Sequence, residues 1–293
     1  MTERLVDVVR LSTRYLADRG SDSARLDAEL LVAHAMQLRR LDVYLQHDRP
    51  LTDAELAPIR ELLRRRGRGE PVAHLLGERE FLSRAFRVGP GALIPRPETE
   101  LLVERALEAC RMLARAPGGD GLVLADVGTG TGCIAVSLAL ALPDAVVHAV
   151  DLSGDALALA ALNVARHGVS DRVHLHRGSW LEPLAGMRLD AVVANPPYIA
   201  TAELDALMRD VRDFEPRMAL DGGLDGLTPY RELIPQAAAR LDAVGALLLE
   251  VDATRAEPVA ALAREALPGR VVRVLADLSG RDRVVEALAG AMA

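Results

Sequence analysis

The sequence predicts an α/β protein: a doubly wound, mostly parallel seven-stranded sheet, preceded by a small N-terminal helical domain and a β-hairpin linker. Three observations carry that prediction. From residue 122 onward, seven short apolar runs alternate with alanine-rich stretches. Continuous apolar strands that alternate with helices belong to a parallel sheet covered on both faces. Residues 1–75 carry helical periodicity instead. Between the two, Gly77, Gly89, Pro90, Gly91, Pro95 and Pro97 punctuate short apolar pieces. The expected domains are therefore 1–75, helical; 76–97, the hairpin linker; and 98–293, the sheet domain.

The elements follow in order. Leu5, Val8, Val9 and Leu11 begin a helical pattern, and Leu26, Leu30, Leu31, Ala33, His34 and Leu38 continue one over 24–38. Thr52-Asp53-Ala54-Glu55 has the form of a capped, acidic helix start, leading to Leu56, Ile59, Leu62 and Leu63. That helix ends in Arg64-Arg65-Arg66-Gly67-Arg68-Gly69, where cations suit the helix dipole and glycine stops the helix. The basic run reads as a solvated helix end or as a contact for an acidic partner. The pieces 80–82 and 85–88 read as the hairpin. Ile94-Pro95-Arg96-Pro97-Glu98-Thr99-Glu100 opens a helix to about Ala114, with Glu98 and Thr99 as its cap. Strands are expected at 122–127, 146–150, 173–176, 189–194, 246–251, 271–275 and 284–287. The small-residue tail, 287–293, carries no signal.

Composition narrows the function. At 293 residues, half of them hydrophobic, the chain can build one large core and one small one. No stretch is long and apolar enough to span a bilayer, and the charged start lacks a leader's apolar region. Cys110 and Cys133 are the only cysteines, and no metal-ligand spacing involves them. A reduced cytoplasm is the expected compartment, with no membrane and no metal. All 35 basic residues are arginine, which has no structural explanation. Residues 1–95 hold 16 arginines against 14 acids, whereas 96–293 hold 19 against 28. So acidic a large domain argues against a duplex footprint, which needs clustered cations. One Trp, four Tyr and three Phe leave few stacking platforms for single strands.

Two loops carry chemistry. The first expected strand ends in Asp126-Val127-Gly128-Thr129-Gly130-Thr131-Gly132, and a helix follows at once. Such a turn lets a ligand approach the backbone at a helix N-terminus. A dinucleotide fingerprint would need a third glycine at 133, where Cys stands. Asp151 ends the second strand, placed to accept both hydroxyls of a ribose. The fourth strand ends in Asn195-Pro196-Pro197-Tyr198. Proline cannot continue the ladder, so the chain turns there and leaves the Asn195 amide free. Asn195 Oδ1 and the Pro196 carbonyl can both accept from one planar NH2 group, with the Tyr198 ring over its plane. Read alone, the tetrapeptide is equally a plain turn.

Together the turn, Asp151 and the tetrapeptide resemble the class I S-adenosylmethionine methyltransferases that act on a planar NH2 nitrogen. Glu70-Pro71-Val72-Ala73-His74-Leu75-Leu76-Gly77, Glu80-Phe81, Leu93 to Glu100, Phe214-Glu215-Pro216, Asp221-Gly222-Gly223-Leu224-Asp225-Gly226-Leu227 and Asp277 to Arg283 narrow the resemblance. They are similar to the peptide chain release factor glutamine N5-methyltransferases. The resemblance implies S-adenosylmethionine as cofactor, held by Gly128, Thr129, Gly130, Thr131, Gly132, Asp151, Trp180 and Asn195. It implies Asn195, Pro196 and Tyr198 as catalytic residues, and these with Pro197 as the substrate cradle. The implied substrate is the glutamine of a Gly-Gly-Gln loop in class I release factors, with no nucleic acid required. Two positions depart from the family: Ser179 stands where an acid often reads adenine, and Glu250-Val251-Asp252-Ala253 lacks the family's glycine.

By that resemblance Asn195 and Pro196 hold the amide NH2 and no dedicated base is needed; His34 and His74 read as structural. An N6-adenine or N2-guanine nucleic-acid methyltransferase would share the tetrapeptide, since an exocyclic amine is also a planar NH2. A catalytically silent binding module would not need the tetrapeptide intact.

Overall fold

A computed structural model describes residues 3–113 and 121–290. The chain divides into two compact units, Met1–Glu78 with Met208–Phe214, and Arg79–Leu207 with Glu215–Ala293.

In the first unit, strand β1 (Glu3–Arg4) leads into α1 (Leu5–Ala17), α2 (Ala24–Ala35), α3 (Arg40–Leu45), β2 (Pro50–Leu51), α4 (Asp53–Arg66) and α5 (Val72–Leu76). The periodicity expected from the sequence is realised as a core of Leu5, Leu16, Leu31, Val32, Ile59 and Leu63. The unit is not wholly helical, because Glu3 pairs with Leu51 in a short antiparallel ladder. Thr52 caps α4 as its sequence requires. Its Oγ1 accepts from the Glu55 amide, and the Glu55 carboxylate accepts from the Thr52 amide at 2.9 Å. The arginine run at the end of α4 is largely committed. Arg64 pairs with Glu61, Arg65 with Glu70, and the nearly buried Arg66 with Asp27 at 2.8 Å and Asp210 at 3.6 Å. Asp210 lies in 208–214, which the sequence reading assigned to the sheet domain. Its carboxylate joins the Arg66 network, and the segment clusters with the helices instead.

The second unit opens with the hairpin β3 (Glu78–Phe81) and β4 (Arg84–Arg87). It is tighter than the 76–97 linker read from the sequence, with a two-residue loop. Leu82 and Ser83 both take left-handed φ, 46° and 58°. Right-handed strand twist demands that geometry, although Asn-Gly is its usual sequence. The Leu82 amide donates to Glu100 Oε1 at 2.8 Å, which holds the turn. Then follow α6 (Glu98–Leu113), β5 (Val123–Val127), α7 (Cys133–Ala141), β6 (Val146–Asp151), α8 (Gly154–Arg166), β7 (Val173–Arg177) and β8 (Leu189–Ala194). After α9 (Arg209–Phe214), which belongs to the first unit, come α10 (Thr228–Arg240), β9 (Leu241–Glu250), α11 (Ala256–Ala266), β10 (Arg270–Ala276) and β11 (Asp282–Ala289). The expected end of α6, Ala114, and the last residues of the tail, 291–293, lie outside the described residues.

The seven strands form one sheet in the order β10-β11-β9-β8-β5-β6-β7. β11 is antiparallel to both of its neighbours, and the remaining pairs are parallel. Every residue of β8 is buried. Ala191 and Val193 face a layer with Phe81, Phe86, Leu102 and Leu138; Val192 and Ala194 face one with Tyr230, Leu233 and Val259. A strand covered on both faces needs a nearly continuous apolar run, as 191–194 shows; the one acid, Asp190, accepts from the Val123 amide at 2.8 Å. The chain leaves central β5 for β6 and β7 and returns to β8 on the other side. The strand order thus reverses between β5 and β8, and the crevice beyond their carboxyl ends is where ligands bind such sheets.

Candidate active site

The register brings the candidate loops together. Val127 pairs with Val150 on one side and Ala194 on the other. Gly128, Asp151 and Asn195 therefore leave the sheet at the same end. A cleft of about 550 Å³ opens there, lined among others by Gly128, Asp151, Trp180, Asn195 and Pro197.

In the glycine turn, Gly128, Gly130 and Gly132 all have positive φ, at 74°, 55° and 79°. A side chain at each would be strained, and at Gly132 its Cβ would meet Ala160 Cβ at 3.2 Å. The turn is held from below by Asp126. Its Oδ2 accepts from Thr129 Oγ1 at 2.6 Å and from the Ala135 amide at 3.0 Å. Complete burial pushes the Asp126 carboxyl up to about 7, against those two hydrogen bonds. From the side the turn is held by Asn163 of α8. Its Nδ2 donates to the Thr131 carbonyl at 2.8 Å and the Arg87 carbonyl at 3.0 Å, and its Oδ1 accepts from the Arg87 amide at 2.7 Å. One side chain thus joins the hairpin to the turn.

Asp151 Oδ2 accepts from the Gly130 amide and Oδ1 from the Ser153 amide, each at 2.9 Å. Each oxygen keeps a lone pair for a further donor. Desolvation raises its pKa despite these contacts. Trp180 has φ 48°, and its indole donates to Glu232 Oε2 at 2.6 Å. Ser179 and Glu232 both line the cleft, so an acid of α10 stands near the position where the sequence has lost one.

Asn195 is tied to α6: its Nδ2 donates to Oγ1 of the buried Thr99 at 3.2 Å. With the NH2 end engaged, Oδ1 is the free end of the amide. Glu250, buried at the end of β9, has its carboxyl pushed up to about 7 by desolvation. Of the other tetrapeptide residues, Pro197 lines the cleft. Pro196 is buried, and Tyr198 packs part-buried against the Tyr230 layer, outside the cleft lining. Burial raises the Tyr198 phenol well above its ordinary value.

Two further loops hold the tetrapeptide. The 221–227 loop lies flat on it, the Gly222 amide donating to the Ile199 carbonyl at 2.7 Å. A Cβ on Gly222 would come within 2.9 Å of the Pro197 carbonyl. The 93–100 stretch is pinned by buried Glu215, which accepts from the Ile94 amide at 3.1 Å and from Arg96 at 2.5 Å. The loop after Glu250 needs no glycine: Asp252 Oδ1 accepts from the Thr254 amide at 2.9 Å and starts a 3₁₀ turn with ordinary backbone angles. Sequence reasoning missed Asn163, Glu215 and Glu232 as members of the site and read Thr99 only as a cap. The signal for Thr99 and Glu215 was their place in the short motifs. Asn163 inside an apolar helix was the one polar break there.

This sheet, with its antiparallel β11 and the glycine turn, acid and Asn-Pro-Pro-Tyr at one end, defines a class I methyltransferase. Residues 7–77 match the family model described as PrmC N-terminal domain, and residues 104–224 the one described as Methyltransferase small domain. The release factor glutamine methyltransferase of Geobacter sulfurreducens is 46% identical over 245 residues, 84% of this chain and 83% of that protein. The one from Moorella thermoacetica is 44% identical over 272 residues, 93% of this chain and 94% of that protein. A solved structure described as the delta-N METTL16 MTase domain shares the fold, with a TM-score of 0.50 at 17% identity, over 69% of this chain and 87% of that one. The chain belongs to the release factor glutamine methyltransferase family.

Proposed function

We propose that the chain methylates the side-chain amide nitrogen of the glutamine in the Gly-Gly-Gln loop of class I release factors, using S-adenosylmethionine. The observation that carries this reading is Asn195 at the end of β8, its NH2 taken by Thr99 and its Oδ1 left to accept.

The residues present fit the cofactor. Glycine at 128, 130 and 132 lets a ligand approach the backbone closely at the start of α7, and Asp151 keeps one lone pair per oxygen for a ribose. Trp180 and Ser179 stand on the same cleft for adenine, with Glu232 as the nearby acid. When bound, the cofactor supplies an activated methyl on a sulfonium.

The substrate side is the harder problem, because an amide lone pair is delocalised. Asn195 Oδ1 and the Pro196 carbonyl accept the two N–H bonds, aim the nitrogen and stabilise the positive charge it gains. Pro197 and Tyr198 complete a stiff cradle, the ring favouring a nearby cation by ~0.5–2 kcal/mol. Most of the rate comes from positioning, for which the ceiling is ~7–11 kcal/mol. Residues 1–75 serve as a docking domain for the intact release factor, and residues 98–293 carry the chemistry. No helix among the described residues is long and apolar enough to cross a membrane; the cytoplasm, where release factors work, is the place of action.

Labelled methyl transfer tests the reading. Label should enter a release factor, not its Gly-Gly-Gln variant with Gln replaced by Ala, and not DNA or RNA. Label in nucleic acid with none in the release factor would overturn it.

A further inference from the structure

Two leucines at the cleft end of the sheet are exposed beyond anything the fold requires. Leu278 is fully exposed and Leu224 is 90% exposed, while no other large apolar residue among the described ones passes 68%. A single exposed leucine is ordinary, but two on fixed turns beside a ligand cleft mark an interaction surface. We propose that Leu224 and Leu278 are anchors for the substrate protein, and that they enter apolar depressions on the release factor beside its Gly-Gly-Gln loop. The proposal rests on the amide-methylation reading above and names the surface by which that substrate is recognised.

The backbone beneath both side chains is already fixed. Leu278 sits at the tip of the β10–β11 turn. There the Asp277 amide donates to the Arg281 carbonyl at 2.8 Å, and the Gly280 amide to the Asp277 carbonyl at 2.9 Å. Asp277 Oδ1 accepts from the Ser279 and Arg281 amides at 2.8 and 3.1 Å, and its Oδ2 from Arg283 Nε at 3.1 Å. Leu224 lies in the 221–227 loop. Before it, the Gly222 amide donates to the Ile199 carbonyl at 2.7 Å, and the Gly223 carbonyl accepts from the Thr201 amide at 2.9 Å. After it, Asp225 Oδ1 accepts from the Leu227 amide at 3.1 Å, and Asp225 pairs with Arg231 at 2.6 Å. An anchor carried on ordered backbone loses little entropy when a partner buries it.

The two turns belong to one rim. β11 runs antiparallel to β9 and pairs Val284 with Glu250, so the β10–β11 turn stands at the carboxyl end of β9. Ala194 pairs with Leu249, which puts Asn195 at that same end. Polar links join the turns. Arg255 donates to the Asp225 carbonyl at 3.1 Å and pairs with Asp252 at 3.3 Å. The Val251 amide donates to the Arg283 carbonyl at 2.8 Å, and Arg283 holds Asp277. Met218, 51% exposed, brings apolar surface from the neighbouring turn to the cleft, which it lines. A protein that puts a glutamine into the cleft has to lie across this rim. Arg231, Arg255 and Arg283 are each committed to a carboxylate, so the rim offers leucines rather than spare cations. That fits a protein surface and not a phosphate backbone.

The test is steady-state methylation of an intact class I release factor, with release-factor and cofactor affinities by calorimetry and melting temperature measured in parallel. Leu278→Ser and Leu224→Ser should each raise KM and Kd for the release factor about 10-fold, the scale of one leucine side chain returned to water. The double variant should raise them about 100-fold, because separate anchors add. Both kcat and cofactor affinity should stay within about twofold, the mark of binding used equally in the ground and transition states. Melting temperature should hold, since neither side chain is packed. Leu278→Met should keep the wild-type KM. Val244→Ser is the control: Val244 is 54% exposed but lies near the start of β9, at the other end of the strand from Glu250. Its KM should not change. A folded double variant with the wild-type KM would overturn the proposal. So would an equal rise in Val244→Ser, which would make the effect one of general surface hydrophobicity. A wild-type enzyme that binds the release factor through Leu278 but transfers no methyl would keep the surface and fail the amide reading.

Discussion

Individual acids hold different offices at the same end of the sheet. Asp126 is wholly buried beneath the glycine turn, whereas Asp151 sits at the cleft with both oxygens already accepting from backbone amides. The sequence placed Asp151 correctly at the end of a strand but could not show that the acid also braces the Gly130 amide. Asp151→Ala should therefore weaken S-adenosylmethionine binding through lost charge-assisted hydrogen bonds, ~1.5–3 kcal/mol each. Calorimetry on the folded variant checks this, and unchanged affinity would remove the ribose assignment. Asp126 makes a different prediction. Its folded pKa, about 7, lies above its ordinary 3.8, so the native state binds the proton more tightly between those values. Stability should fall as pH rises from about 4 to about 7, and Asp126→Asn should flatten that slope in melting curves. A slope unaltered by the substitution would exclude Asp126 as its source. Thr99 shows why residue roles are hard to read from sequence. A threonine two residues into a helix looks like a cap, and its bond to Asn195 spans 96 residues of chain.

Elements were more legible than contacts. Central strands β5 and β8 announce themselves because burial on both faces requires mostly apolar runs, whereas edge strand β7, Val173-His174-Leu175-His176-Arg177, is largely uncovered. The hairpin was seen but drawn too long, because the glycines and prolines of 89–97 mark the pocket-lining segment after it, not its loop. The 208–214 segment was misassigned because nothing local distinguishes a short helix held by Arg66 from one packed on the sheet. The 221–227 loop was quoted as a motif, but its function as a close-fitting brace for the tetrapeptide is visible only in three dimensions. Gly226 and Gly280 isolate that function. Both are left-handed, at φ 76° and 77°. A Cβ on Gly226 would lie 2.3 Å from the Tyr198 carbonyl, while one on Gly280 meets nothing within 4 Å. Gly280→Ala should cost only the left-handed backbone term, ~1–2 kcal/mol of stability. Gly226→Ala should cost more in denaturant titration and should also slow methyl transfer by displacing the tetrapeptide. Equal effects of the two would mean that the loop is not a brace.

At the scale of the whole molecule, the hairpin decides where the chain can be cut. Phe81 and Phe86 are buried in the same layer as Leu102 and Leu138, so residues 79–89 belong to the sheet's core. A fragment of 79–293 should fold and bind cofactor. One beginning at Pro90 should melt markedly lower, since losing a buried Phe costs ~3–5 kcal/mol. The longer fragment should lose most of its activity on intact release factor if residues 1–75 dock it, and equal activity of fragment and full chain would refute docking. Above that lies the central claim, that the fold exists to present Asn195 to an amide nitrogen. Single-turnover methylation of a release factor by Asn195→Ala, with cofactor affinity measured alongside, tests it most directly. The rate should fall roughly 100–1000-fold, as when a transition-state hydrogen-bond partner is removed, with cofactor affinity nearly unchanged. A folded Asn195→Ala enzyme working at the wild-type rate would contradict it and leave the tetrapeptide as nothing more than a turn.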